Sequence, residues 1–231
     1  MCSSDLSMGK AAEAAGIEIV TGDTKVVEKG KGDGVFINTT GIGRVRRGIH
    51  LSAANARPGD MVLLSGYLGD HGITILSERQ DIGFDAPIES DSAALHTLVR
   101  DMLDAAPAIR CMRDPTRGGL SSAINEIAAL AKVGVELNET AIPVREAVRG
   151  ACELLGFDPL YVANEGKLVA IVPPESAAAV LAAMRHHPLG RESAIIGTVT
   201  ERHPAMVTMK TAFGTTRIVD MLPGDQLPRI C

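Results

Sequence analysis

Four short stretches of this 231-residue chain carry groups that could do chemistry. The last is Pro223-Gly224-Asp225-Gln226-Leu227-Pro228-Arg229-Ile230-Cys231. Its prolines each remove a backbone donor and fix φ, Gly224 punctuates the turn between them, and neither helical nor strand periodicity is visible. Nine residues at about 3.3 Å each reach roughly 30 Å. Such a tail could carry the Cys231 thiol into a cleft and out again, although a frayed end is the commoner fate of a terminus. Thr21-Gly22-Asp23-Thr24-Lys25 offers a turn followed by a carboxylate, a hydroxyl and an ammonium. Asp23 and Thr24 suit a divalent cation, Lys25 suits a phosphate, and a plain polar turn fits the same residues. Arg113-Asp114-Pro115-Thr116-Arg117-Gly118-Gly119-Leu120 reads as the end of a strand, a glycine turn and the start of a helix. That arrangement presents free N–H groups at Gly118 and Gly119 to an anion, while Asp114 and Thr116 could reach a metal or cap the helix. In Ala163-Asn164-Glu165-Gly166-Lys167, Glu165 stands at the edge of apolar sequence. Partial burial there would raise its pKa toward neutrality and suit it to proton transfer; an ion pair with Lys167 is the plainer reading.

The elements that must position these groups alternate between strand and helix patterns. A helix is expected over 7–15, and short strands over 17–20 and 35–39 precede a domain boundary near residue 50. Beyond it the spacing predicts strands over 61–65, 109–112, 133–137, 168–172, 194–200, 205–210 and 215–219. Helices are expected over 70–79, 90–105, 118–131, 143–155 and 174–185. In the 90–105 segment Leu95, Leu98, Val99, Met102 and Leu103 fall on one face. Asp70 reads as an N-cap, and His71 as a surface histidine beside it or a residue facing an anion at the helix N-terminus. Gly41-Ile42-Gly43 lacks the third glycine and the following helix of a dinucleotide fingerprint.

Composition narrows the class. Apolar residues make up 45% and charged residues 22%, with two Tyr, four Phe and no Trp, so the core rests on aliphatic side chains. A net charge of −5 argues against a nucleic-acid surface. No apolar run approaches the roughly 20 residues that span a bilayer, and no secretory signal is visible. The four cysteines, Cys2, Cys111, Cys152 and Cys231, lack CxxC spacing. A structural zinc site is therefore not expected, Cys111 and Cys152 read as packed core thiols, and a reduced cytoplasmic protein is the simplest setting.

The ending Pro228-Arg229-Ile230-Cys231 resembles that of the HypE family of hydrogenase maturation proteins. The Thr21–Val27, Arg113–Leu120 and Ala163–Leu168 motifs resemble the same family's, in the same order, and the likeness runs from about Ser7 to Cys231. It implies the two-domain α/β (α+β) architecture of the aminoimidazole ribonucleotide synthetase-like superfamily. On that reading 1–6 is a leader outside the family and 7–50 a remnant of an N-terminal ATP-binding and dimerisation domain. Residues 51–222 are a C-terminal α/β domain with a mixed sheet, and 223–231 a mobile tail. The resemblance implies an ATP-dependent carbamoyl dehydratase that converts an S-carbamoyl group on Cys231 to a thiocyanate. The cyano group then passes to the iron of a [NiFe] hydrogenase centre. It assigns Glu165 as base and Lys25 as the positive group near the thiocarboxamide or phosphate. It gives ATP to Asp23, Thr24, Asp114, Thr116, Gly118 and Gly119, with Mg²⁺ on Asp23 and Asp114. The implied partners are a carbamoyltransferase, an iron-carrying scaffold complex and a second copy of the chain.

Two other readings stay open on the residues alone. One is an ATP-dependent synthetase of the same fold acting on a small molecule, which needs no thiol at Cys231. The other is an inactive fragment or carrier module whose tail only docks partners.

Overall fold

The computed structural model describes residues 3–31, 36–80 and 88–221. The tail with Cys231, and Cys2, lie outside the described residues. The chain divides into two compact units, Met1–Arg47 and Gly48–Cys231. The first holds helix α1, Ser3–Ala15, followed by backbone without regular structure among its described residues. The strands expected over 17–20 and 35–39 do not form at the described positions. A strand exists only where another chain segment completes its hydrogen-bond ladder. Here Ile17, Ile19, Val20, Phe36 and Ile37 all stay exposed.

The second unit is built on a seven-stranded mixed sheet. Its strands are β1 Met61–Leu64, β2 Cys111–Arg113, β3 Gly134–Asn138, β4 Val169–Val172, β5 Ala194–Thr200, β6 Val207–Lys210 and β7 Thr216–Ile218. They lie in the order β2-β4-β1-β5-β3-β6-β7, and every pairing is antiparallel except β3 with β6. The helices are α2 Asp70–Gln80, α3 His96–Ala105, α4 Gly119–Ala131, α5 Glu146–Leu155 and α6 Pro174–His186.

Strand chemistry explains the layering. β1 (Met-Val-Leu-Leu) and β4 (Val-Ala-Ile-Val) are continuous apolar runs, as central strands covered on both faces must be. Alternation then splits them. Val62, Leu64, Val169 and Ile171 join Leu120, Ile124 and Ile127 of α4 in one core. Leu63, Ala170 and Val172 join Leu98 and Met102 of α3 and Val180 and Met184 of α6 in the other. A third, smaller cluster of Ile73, Val148, Ala151, Cys152 and Val162 seats α5 against α2. Each fully buried Leu or Ile contributes about 1.5–3 kcal/mol.

The helix expected over 90–105 begins only at His96. Ser90, Asp91 and Ser92 look like the polar start of a helix, but the Asp91 carboxylate serves the Glu165 loop and the Ser90 hydroxyl serves His71 instead. His71 is likewise not a surface residue. It is buried, with Nδ1 hydrogen-bonded to Ser90 Oγ at 2.8 Å. Asp70 opens α2, yet its carboxylate faces Arg145 Nε at 3.1 Å. The two cysteines expected in the core are there, and burial pushes the thiols of Cys111 and Cys152 up to about 11.

Candidate functional site

The loop between Tyr161 and β4 is anchored by Asn164. That side chain is fully buried. Its Oδ1 accepts from Gly69 N at 2.8 Å, and its Nδ2 donates to Pro115 O and Val162 O at 3.0 Å each. Asn164 N also donates to Pro115 O at 3.2 Å. One amide thus ties together the entry to α2, the Arg113–Leu120 loop and its own segment. Buried polar groups persist only when satisfied, and here the donor and acceptor ends both are.

Glycines let these backbones meet. Gly72 N donates to Ala163 O at 3.0 Å, and a Cβ on Gly72 would stand 2.5 Å from Val162 Cγ1. Gly118 and Gly119 have φ of 72° and 62°, the left-handed region that glycine occupies without strain. A Cβ on Gly119 would lie 2.5 Å from Leu160 O. The Gly-Gly pair expected to offer N–H groups to a phosphate therefore also seats α4 on the 160–162 segment. Both glycines are buried, and Gly119 N is bonded to Thr116 O at 3.0 Å. Asp114 is exposed beside them, its Oδ2 accepting from Thr116 Oγ1 at 3.2 Å. Arg113 is paired with Glu126 at 2.6 Å.

Glu165 is half-buried, and its backbone N–H is held by Asp91. Lys167 does not pair with Glu165, as the plainer reading had it. Its Nζ lies 3.2 Å from Asp91 Oδ2. Asp91 and Lys167 form one wall of a cavity of about 540 Å³, which Ser65, Tyr67, Asp70, Arg145 and Arg191 also line. The Arg145 guanidinium stacks 4.2 Å from the Tyr67 ring centre while it pairs with Asp70. Burial raises the Asp70 carboxyl above its usual range, against the lowering pull of Arg145 and Lys167. Its Oδ1 is buried without a hydrogen-bond partner.

Asp23, Thr24 and Lys25 belong to the first unit, where all three are exposed and Asp23 Oδ1 accepts from Thr24 N at 2.8 Å. Among the described residues, no three His, Cys, Asp or Glu side chains gather as a metal cluster. Asp91 and Asn164 are the residues that reading the sequence passed over. The dense polar run Glu89-Ser90-Asp91-Ser92 was the only local signal for the first.

The described chain ends against this same region. Ser121 Oγ donates to Asp220 O at 2.5 Å, and Asn125 Nδ2 donates to Val219 O at 2.8 Å. Both anchors are in the first half of α4, just beyond the glycines that pack on 160–162.

Comparison with known proteins extends these observations. Residues 57–210 match the family described as AIR synthase related protein, C-terminal domain. Carbamoyl dehydratase HypE of Azotobacter vinelandii is 64% identical over 225 residues, covering 97% of this chain and 66% of that protein. A crystal structure of HypE in complex with ATP superposes with a TM-score of 0.93 at 51% identity, over 97% of this chain and 68% of that one. HypE in a HypE–HypF complex gives 0.86 at 41% identity, over 94% and 70%. The chain spans about two thirds of the length of these relatives.

Proposed function

This chain belongs to the HypE family of hydrogenase maturation proteins, and from that membership we propose that it is an ATP-dependent carbamoyl dehydratase acting on its own Cys231. The carbamoyl group arrives on the Cys231 sulfur as a thiocarbamate. HypF is the proposed donor, since a relative forms a complex with it. Loss of the elements of water then leaves a thiocyanate on the same sulfur, and its cyano group goes to hydrogenase iron held by a scaffold complex. ATP, which a relative binds, supplies the phosphoryl group that makes the amide oxygen able to leave. Two N–H protons must depart as the nitrogen becomes triply bonded, and Glu165 is the group proposed to take them. The Asp114 carboxylate and Thr116 hydroxyl are hard oxygen donors of the kind that suits Mg²⁺ held mainly by phosphates and water. The Thr21–Val27 motif carries Asp23 and Thr24 for the same metal and nucleotide. Lys25 is the cation proposed to balance charge on the reacting groups. The second copy of the chain implied by the resemblance is likewise proposed as a dimer partner.

The observation that carries this reading is where the tail is rooted. Asp220 is fixed to Ser121, and α4 is seated on the segment that runs into Asn164 and Glu165. The ten residues from 222 to 231 can span roughly 33 Å when extended. A sulfur on such a leash can serve both the Glu165 loop and an external partner.

The test is mass spectrometry of the C-terminal peptide after incubation with HypF, carbamoyl phosphate and ATP. The wild-type thiol should gain a carbamoyl group and then lose one water. Cys231→Ala should gain nothing, and Glu165→Gln should gain the carbamoyl group yet keep its water. A small-molecule synthetase would instead retain full turnover in Cys231→Ala, and that result would overturn the proposal.

A further inference from the structure

The residue that holds the Glu165 loop in place comes from far away in the sequence. Asp91 Oδ1 accepts from Glu165 N at 3.0 Å and from Gly166 N at 3.3 Å. Its Oδ2 lies 3.2 Å from Lys167 Nζ, close enough for an ion pair though not aligned as a hydrogen bond. Lys167 Nζ in turn reaches Gly166 O at 3.4 Å. The Asp91 and Lys167 side chains are only 2% and 13% exposed. Three consecutive residues of the loop therefore converge on a single carboxylate. The backbones are in contact as well, because a Cβ on Gly166 would fall 1.6 Å from Asp91 O. On the other side Ser90 Oγ bonds His71 Nδ1 and accepts from Ser92 N at 3.2 Å, which ties this strap to α2.

We infer that Asp91 is a positioning residue for Glu165, fixing the backbone from which that carboxylate projects. The inference rests on the reading of Glu165 as the proton acceptor. Charge-assisted bonds from two successive amides to one buried oxygen are stronger than neutral ones, and they leave the loop few alternative conformations. Asn164, the residue before Glu165, is fixed by Gly69, Pro115 and Val162, and Asp91 holds Glu165 and the residue after it. The base is thus held from both sides by groups that do not react.

Two measurements on the full chain test this separately. Hydrogen–deuterium exchange should show the amides of Glu165 and Gly166 exchanging at least tenfold faster in Asp91→Ala. They should stay slow in Asp91→Asn, which keeps the Oδ1 acceptor, and in Lys167→Met, which removes only the charge partner. Single-turnover dehydration of the carbamoylated tail should fall about 100-fold in Asp91→Ala with the ATP dependence unchanged, and recover most of that loss in Asp91→Asn. Unchanged exchange in Asp91→Ala overturns the inference, and so does an Asp91→Asn variant as slow in turnover as Asp91→Ala. If Glu165→Gln dehydrates at the wild-type rate, the assignment of the base fails instead, and the exchange experiment still decides whether Asp91 holds the loop.

Discussion

At the scale of single residues, burial decides which groups can react. The thiols of Cys111 and Cys152, at about 11, leave roughly one molecule in a thousand as thiolate at pH 8. An ordinary thiol with a pKa of about 8.5 is about one quarter ionised there. Maleimide labelling of the native chain at pH 8 should therefore spare both, and a tryptic map should recover them unmodified. The same shifts carry a pH dependence. The native state holds these two protons more tightly than the unfolded chain does. Stability from this source is intact well below pH 9 and is lost as pH rises from 9 toward 11, by about 2 kcal/mol per thiol at pH 11. Asn164 sets a second expectation. Asn164→Ala leaves Gly69 N–H without its acceptor and Val162 O without its side-chain donor in a fully buried place, while Pro115 O keeps only the backbone N–H of residue 164. It should cost about 3 kcal/mol in urea unfolding, with little change in the slope of the transition. Glu165, the proposed base, stands out in its motif, whereas the carboxylate that holds its backbone does not. Asp91 sits 74 residues earlier, and nothing in local sequence reports which amide a carboxylate will meet.

At the scale of elements, the glycines do the fitting. Gly119 combines a left-handed backbone with a Cβ position 2.5 Å from Leu160 O and 2.7 Å from Val162 O. Gly119→Ala should destabilise the second unit by about 2–4 kcal/mol, measured by thermal unfolding, through strain and a forced separation of α4 from the 160–162 segment. Gly150→Ala is the control, because nothing lies within 4 Å of its Cβ position and the residue is helical. It should be neutral or slightly stabilising. Most elements of the second unit were legible as runs and periodicities. β1 and β4 announced themselves as unbroken apolar stretches, and α5 falls within the helix expected over 143–155 with Cys152 packed in the core. The failures share a cause. The start of α3 was placed too early because Ser90-Asp91-Ser92 has cap chemistry that the fold spends on a distant loop. The strands at 17–20 and 35–39 have suitable residues, but a ladder needs a second backbone.

At the scale of the whole molecule, stability is concentrated beyond Gly48. All three apolar clusters are composed of residues from Ile49 onward. A chain beginning at Gly48 should therefore unfold in one cooperative transition, with a midpoint within a few degrees of that of the 231-residue chain in scanning calorimetry. A broad or strongly lowered transition would show that the first unit contributes to the core. No helix among the described residues is long and apolar enough to cross a membrane.

The place of β1 in the sheet has a consequence for biosynthesis. Its two neighbours are β4 and β5, so the strand made first must wait for partners that end at Thr200. At about 5–20 residues per second a ribosome needs on the order of ten seconds to deliver them. Until β4 is made Val62, Leu63 and Leu64 have no partner strand, and until β5 follows they have one on only one side. The nascent chain thus presents a sticky segment early and shelters it late, which makes its yield sensitive to holdase chaperones and to translation speed in a way the finished protein's stability is not.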